Sequence, residues 1–175
     1  IKGGTISVIL ALLGIFVYVW LRFDWQYSFI AIITLIHDVI IGVGALTLFN
    51  YEINITTIAA VLTIVGYSIN DTIITFNQVK ENINRYPKLG DVDLLNQSLN
   101  DVISRTISTS LTVALVLLSV YLFGGSTLTS FSFTLLIGVI FGTYSSIFLS
   151  VPALLYVSNF RSFSKQAIKE EAKSS

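Results

Sequence analysis

An aspartate, Asp71, with an amide beside it, Asn70, stands in the run "VGYSINDTIITF" at residues 65–76, inside a long apolar segment. An aspartate at the centre of a membrane helix costs about 2.5–3.5 kcal/mol on insertion scales. A lone carboxylate escapes much of that cost by taking up a proton, so its charge comes to depend on its neighbours. Proton-driven transporters need such a group. A counter-charge is available in Arg105, within "SRTISTSLT", whose long side chain can reach into the bundle toward Asp71. The other reading of Arg105 is a boundary arginine snorkelling to lipid phosphates. Tyr67, Asn70 and the hydroxyls of Thr72, Ser104, Thr106 and Thr109 are the polar groups that can support the pair or hold water. A second acid, Asp38, lies beside His37 in "LIHDVI". Asp38 is a second candidate for a proton-linked group, set against a structural hydrogen bond to a neighbouring helix. Adjacent positions face different sides of a helix, so His37 and Asp38 are not expected to act as one unit. His37 alone reads as a packing residue, although imidazole titrates near neutrality.

Positioning these groups falls to five segments long enough to cross a bilayer, which takes about 20 mainly apolar residues. They run over about 5–21, 27–49, 53–79, 104–123 and 127–157. Three connections, "RFDWQ", "NYEIN" and "GGS", are short and make neighbouring helices antiparallel. Trp20, Trp25 and Tyr27 flank the first turn as interfacial aromatics. The connection over 80–103 is longer. It begins with the polar loop "KENINRYPKLGD", which carries Pro87 and Gly90. Val92, Leu95, Leu99 and Val102 then recur at helical spacing, with Asp91 or Asp93 as a cap. This predicts a short amphipathic helix, lying at the membrane surface or packed on its own bundle. The organisation expected is a transmembrane bundle over 1–158, including the loop and amphipathic helix at 80–103, and a polar tail over 159–175. Gly138, Gly142, Ser146 and Ser150 are spaced by four and form a ridge for close helix approach; Gly66 is expected to act likewise. Pro152 should bend or weaken the last turns.

Composition agrees with an all-α polytopic bundle. Hydrophobic residues make up 54% of the chain and charged ones 11%, against about a quarter charged in globular proteins. Net charge is zero, so nothing points to nucleic acid as a partner. Without cysteine and with one histidine, neither a disulfide nor a structural zinc site is expected, and no cofactor is implied. No GxxxxGK[ST] loop or HExxH pair is present. The chain therefore reads as a non-enzyme driven by an ion gradient, not by ATP. Five antiparallel spans gather every lysine and arginine except Lys2 on one side. The positive-inside rule puts the "RFDWQ" turn, the long loop and the C-terminal tail in the cytoplasm. The chain begins "IKGG" without an initiator methionine, and its first residue falls outside; both features suggest a piece with a further span or exported domain upstream.

The segment "GYSINDTIITF", followed by "VKENI", strongly resembles the fourth transmembrane segment of the SecF family. "LIHDVI", "SLNDVISRTISTSLT", "LFGG" and "IGVIFGTYSSIFLSVPALL" resemble the family's other segments in order, over about residues 10–157. The resemblance implies a resistance–nodulation–division fold, with SecF spans two to six in this chain and the first span and periplasmic domain outside it. It also implies an auxiliary subunit of the Sec protein translocase in the bacterial cytoplasmic membrane. Such a subunit works with SecD and the SecYEG channel, using the proton-motive force to promote preprotein export. Asp71 matches the family's "GYSxND" acid and Arg105 the arginine of "SRT", both implicated in the proton pathway. Asp38 matches the acid of the "HD" pair, with a weaker role. One departure is Asn77-Gln78, where the family commonly has Asp-Arg. Any salt bridge those charges make should be absent, which puts the docking of the adjacent loop in question. Since fold does not fix substrate, a proton-coupled exporter of small molecules or lipids is the alternative. A non-transporting scaffold that keeps Asp71 only for helix packing is a third reading.

Overall fold

The computed structural model describes residues 2–23, 25–51 and 53–156. Five helices follow one another: α1 (Lys2–Arg22), α2 (Trp25–Leu48), α3 (Ile55–Arg85), α4 (Asp91–Phe123) and α5 (Ser126–Ser145). The last continues through a π turn (Ser146–Ser150), one α turn (Val151–Ala153) and a 3₁₀ turn (Leu154–Tyr156). No strand occurs among the described residues. The architecture is the expected all-α membrane bundle. Four of the five predicted spans, α2, α3, α4 and the stretch Leu128–Tyr156, are long and apolar enough to cross a bilayer. In α1 the apolar stretch is the shorter Ile9–Arg22. The tail expected at 159–175 lies outside the described residues.

The amphipathic helix and the fourth span, expected as separate elements, are one helix of 33 residues. No glycine or proline interrupts Asp91–Phe123, so nothing breaks the hydrogen-bond ladder. The break falls at residues 86–90, which hold Pro87 and Gly90, and α3 runs on to Arg85. Helices of 31 and 33 residues span about 46 and 50 Å, well beyond a ~30 Å hydrocarbon core. Leu94, Leu95 and Val102 of α4 are buried, and Leu94 and Leu95 share one core cluster with Val79 and Ile83 of α3. The amphipathic face thus packs on its own bundle. Neither aspartate caps it: Gly90 is the N-cap, while Asp91 and Asp93 lie in the first turn, where the helix dipole favours negative charge. At the start of α3, Asn54 accepts the Thr57 amide and Thr57 reciprocates, closing a capping box.

Amides join the projecting ends of α3 and α4. Asn82 Nδ2 donates to Asp101 Oδ2 at 2.8 Å and to Ser98 Oγ at 3.1 Å. Gln78 donates to the same aspartate oxygen at 3.2 Å, and Gln97 donates to Asp101 Oδ1 at 2.8 Å. Docking next to the Asn77-Gln78 departure therefore rests on neutral donors around one carboxylate.

Tyr27, expected at the interface, is instead buried at 1% exposure, edge-on to Phe76 with centroids 5.1 Å apart. Its ring completes a cluster with Phe23 and Phe76, whereas Trp20 and Trp25 stay exposed. At the other end, Ile64 packs with Ala60 and Leu135. The predicted small-residue ridge is what lets α5 close on α3. A Cβ at Gly138 would lie 2.2 Å from Ile64 Cγ1, and one at Gly142 would lie 3.3 Å from Ser68 Cβ. Ser146 and Ser150 are buried, and the Ser150 hydroxyl donates to the Ser146 carbonyl. Gly66 does not share this role: it is exposed and a Cβ there would meet nothing within 4 Å, because it lies on the outer face of α3. The α-helix yields to the π turn just before Pro152, whose missing donor removes one backbone bond.

Candidate functional site: two buried acids

The first acid belongs to α3. Asp71 is 4% exposed and lines a cavity of about 220 Å³ between α3 and α4, together with Tyr67, Asn70, Arg105, Thr106 and Thr109. Asp71 comes 16 residues after Ile55 and Arg105 comes 18 before Phe123, about 24 and 27 Å along antiparallel helices from the same side. The continuous α4 thus brings the arginine to the depth of the acid. No ion pair within 4.0 Å joins them among the described residues, and they face each other across the shared cavity. Asp71 Oδ2 and Thr106 Oγ1 are buried and make no hydrogen bond among the described residues.

The supporting groups divide. Tyr67 donates from its hydroxyl to Ser110 Oγ at 3.3 Å, and Ser110 pairs with Thr143 Oγ1 at 2.6 Å. This chain of hydroxyls ties the cavity to α5. Asn70 is exposed at the rim. Thr72 is buried with its hydroxyl unbonded and does not line the cavity; neither does Ser104, which is exposed. Arg105, Ser108, Thr109 and Thr112 continue the exposed polar strip on α4, alongside Asn70 and Asn77 on α3. Chemically, the arrangement offers a buried acid with a free lone pair, facing a guanidinium that keeps its charge at any working pH.

The second acid sits where α2, α3 and α5 meet. Asp38 is 0% exposed. Ser68 of α3 donates its hydroxyl to Asp38 Oδ2, and Ser145 of α5 donates to the same oxygen at 2.8 Å. His37 Nδ1 lies 3.0 Å from Asp38 Oδ1, so the two adjacent residues do form a unit, against the expectation from helical spacing. Their Cβ atoms diverge, but the imidazole is long enough to fold back along the helix surface to the carboxylate. Gly142 borders this junction: a Cβ there would lie tight against Ser68 Cβ at 3.3 Å and in ordinary contact with Asp38 Oδ2 at 3.7 Å.

Ser68, Ser110, Thr143 and Ser145 were not singled out by sequence reasoning. One signal was available. Ser68, Asp71, Thr72 and Thr75 fall at helical spacing on α3 and are all buried, a polar stripe within an apolar segment. For Ser145 the spacing of four favoured its neighbour Ser146, whose hydroxyl instead bonds the Thr143 carbonyl at 3.0 Å.

The family described as "Protein export membrane protein SecD/SecF, C-terminal" matches residues 1–160. A protein translocase subunit SecF of Rickettsia rickettsii is 42% identical over 169 residues, covering 97% of this chain and 54% of its own length. The subunit of the same name in Rickettsia bellii is 42% identical over 159 residues, covering 91% of this chain and 52% of its own length. The chain thus spans about half the length of the curated relatives it matches. Among solved structures, SecDF in its super-membrane-facing form superposes with a TM-score of 0.81 at 37% identity, over 98% of this chain and 22% of that one. SecDF from Thermus thermophilus, a translocon-associated membrane protein, superposes with a TM-score of 0.84 at 40% identity, over 87% of this chain and 21% of that one.

Proposed function

The chain belongs to the family of SecD/SecF protein-export membrane proteins, and we propose that it is the proton-coupling membrane core of a SecF-type subunit of the Sec translocase. The observation that carries this reading is the buried Asp71 with an unbonded oxygen, sharing a cavity with Arg105. With the guanidinium near, the carboxylate is stabilised in its ionised form. When α4 moves relative to α3 and that charge withdraws, desolvation favours the protonated acid. A proton taken up on one side and released to the other would thereby be tied to helix movement. Asp38, which this cycle does not use, keeps α5 in place on α3.

The remaining assignments extend this reading. The projecting ends of α3 and α4 and the turn between them, which carry Lys80, Arg85 and Lys88, lie in the cytoplasm by the positive-inside rule. The long loop and C-terminus are then cytoplasmic, and the subunit is multi-pass in the bacterial cytoplasmic membrane. SecD covers the polar strip on α3 and α4, because exposed amides and hydroxyls at membrane depth need a protein partner. The solved relatives of about this fold are SecDF chains, which supports that pairing. The SecYEG channel and an exported preprotein complete the assembly.

The test is preprotein export in inverted membrane vesicles, with the full-length subunit and its Asp71→Asn variant, with and without an imposed proton gradient. Asn keeps shape and hydrogen bonding but cannot exchange a proton. Export that loses its gradient dependence in the variant supports the proposal; unchanged dependence refutes it.

A further inference from the structure

His37 and Asp38 carry a feature the Asp71 cycle leaves unused. Both oxygens of this buried carboxylate are engaged: Oδ1 with the imidazole, Oδ2 with hydroxyls from two other helices. The acid itself is 0% exposed, whereas the His37 side chain is 37% exposed. His37 lies on α2 next to the outward stripe of Ile33, Ile36 and Ile40. The imidazole therefore bridges from a sealed carboxylate to the surface of the bundle.

We propose that His37 and Asp38 form a second proton-exchange site, separate from the Asp71 cavity, whose protonation state sets how firmly α5 is held against α3. A buried carboxylate that carries its charge needs a counter-charge. Among the groups bonded to it, only His37 can carry one. An imidazolium at Nδ1 makes the pair neutral overall. Passing the Nδ1 proton to Oδ1 turns the ion pair into a neutral acid and a neutral imidazole with no change in net charge. Nε2 holds a proton in both forms and can release it to the outside, which leaves the carboxylate bonded to a neutral imidazole through Nδ1–H. The serine bonds read this change, because hydrogen bonds to a carboxylate are roughly twice as strong as those to a neutral acid. Both end on Oδ2, and the one from Ser145 comes from the residue immediately before the π turn.

The charged surroundings are sparse. On α2 the only ionisable neighbour is His37 itself. On α3 the nearest are Tyr67, whose hydroxyl donates to Ser110, and Asp71, three residues beyond Ser68; both line the other cavity. Residues 126–156, which include α5 and the π turn, contain no Asp, Glu, Lys, Arg or His.

The experiment is ¹⁵N NMR of histidine-labelled full-length protein in lipid bilayers between pH 5 and 8, with the His37 signals assigned by their loss in His37→Gln. The expected result is a change of protonation within this range whose midpoint is altered in Asp38→Asn and in Ser145→Ala but not in Asp71→Asn. Ser145→Ala removes one hydroxyl and keeps helix and charge, so it decides the matter even where Asp38→Asn fails to fold. A His37 that does not titrate, or a midpoint unmoved in Ser145→Ala, overturns the proposal. So does a midpoint that moves in Asp71→Asn, which would make the two acids one site. Because export is not the readout, this result stands or falls separately from the Asp71 cycle.

Discussion

Gly138→Ala tests the contact on which the α3–α5 interface is built. The added Cβ would lie 2.2 and 2.3 Å from Ile64 Cγ1 and Cδ1, where ordinary contact begins at 3.4 Å. Ile64 is 1% exposed, and its Cδ1 also lies 3.1 Å from where a Gly42 Cβ would be, so both glycines leave room for this one side chain. The side chain fills a slot between two glycines on different helices. Overpacking of this kind costs about 1–3 kcal/mol, and a shortfall of more than 1 Å at two atoms of a β-branched residue belongs at the upper end. Replacing glycine by alanine inside a helix returns up to about 1 kcal/mol. The net loss expected is therefore about 2 kcal/mol, read by unfolding the full-length protein in bicelles. Ile64→Ala removes the clashing atoms, so the double variant should be more stable than the sum of the single changes predicts, by about 1 kcal/mol or more. Gly66→Ala, with nothing within 4 Å, serves as the control and should leave stability unchanged or raise it by up to about 1 kcal/mol. A loss below about 0.5 kcal/mol in Gly138→Ala, or effects that simply add, would refute the slot.

Two further variants probe the other devices of the fold. Asn82→Ala removes the donors that join α3 to Ser98 and Asp101; it should cost about 1–3 kcal/mol and speed amide hydrogen exchange over 91–103 while leaving 110–123 unchanged. Asn54→Ala opens the capping box of α3 and should cost about 1 kcal/mol, with faster exchange confined to the first turn.

The sequence carried the apolar segments, their antiparallel order and the placing of Asp71 within one of them, because burial in lipid leaves a strong signal of length and hydropathy. It carried the ridge at Gly138 and Gly142 because a spacing of four has one geometric meaning on a helix. The join within α4 was harder to read. Residues 91–103 and 104–123 differ in composition although nothing between them breaks a helix, and a change of surroundings imitated a boundary. Tyr27 looked interfacial because a tyrosine beside a turn has two uses, and packing against Phe76 chose the buried one. The His37–Asp38 pair was missed for a similar reason. Helical spacing fixes where Cβ atoms point, not where a long imidazole ends. Ser68 and Ser145, 77 positions apart in the chain, meet only because α5 closes on α3. Such contacts are properties of the assembled bundle.

The account rests on Asp71 changing its proton occupancy as Arg105 moves relative to it. Infrared difference spectroscopy of the full-length protein in proteoliposomes reads that occupancy from the carboxyl stretch, assigned by its loss in Asp71→Asn. The account predicts a protonated-carboxyl band that changes amplitude when a proton gradient is imposed, and that no longer responds in Arg105→Gln. A band that ignores the gradient, or responds equally without the arginine, would contradict it.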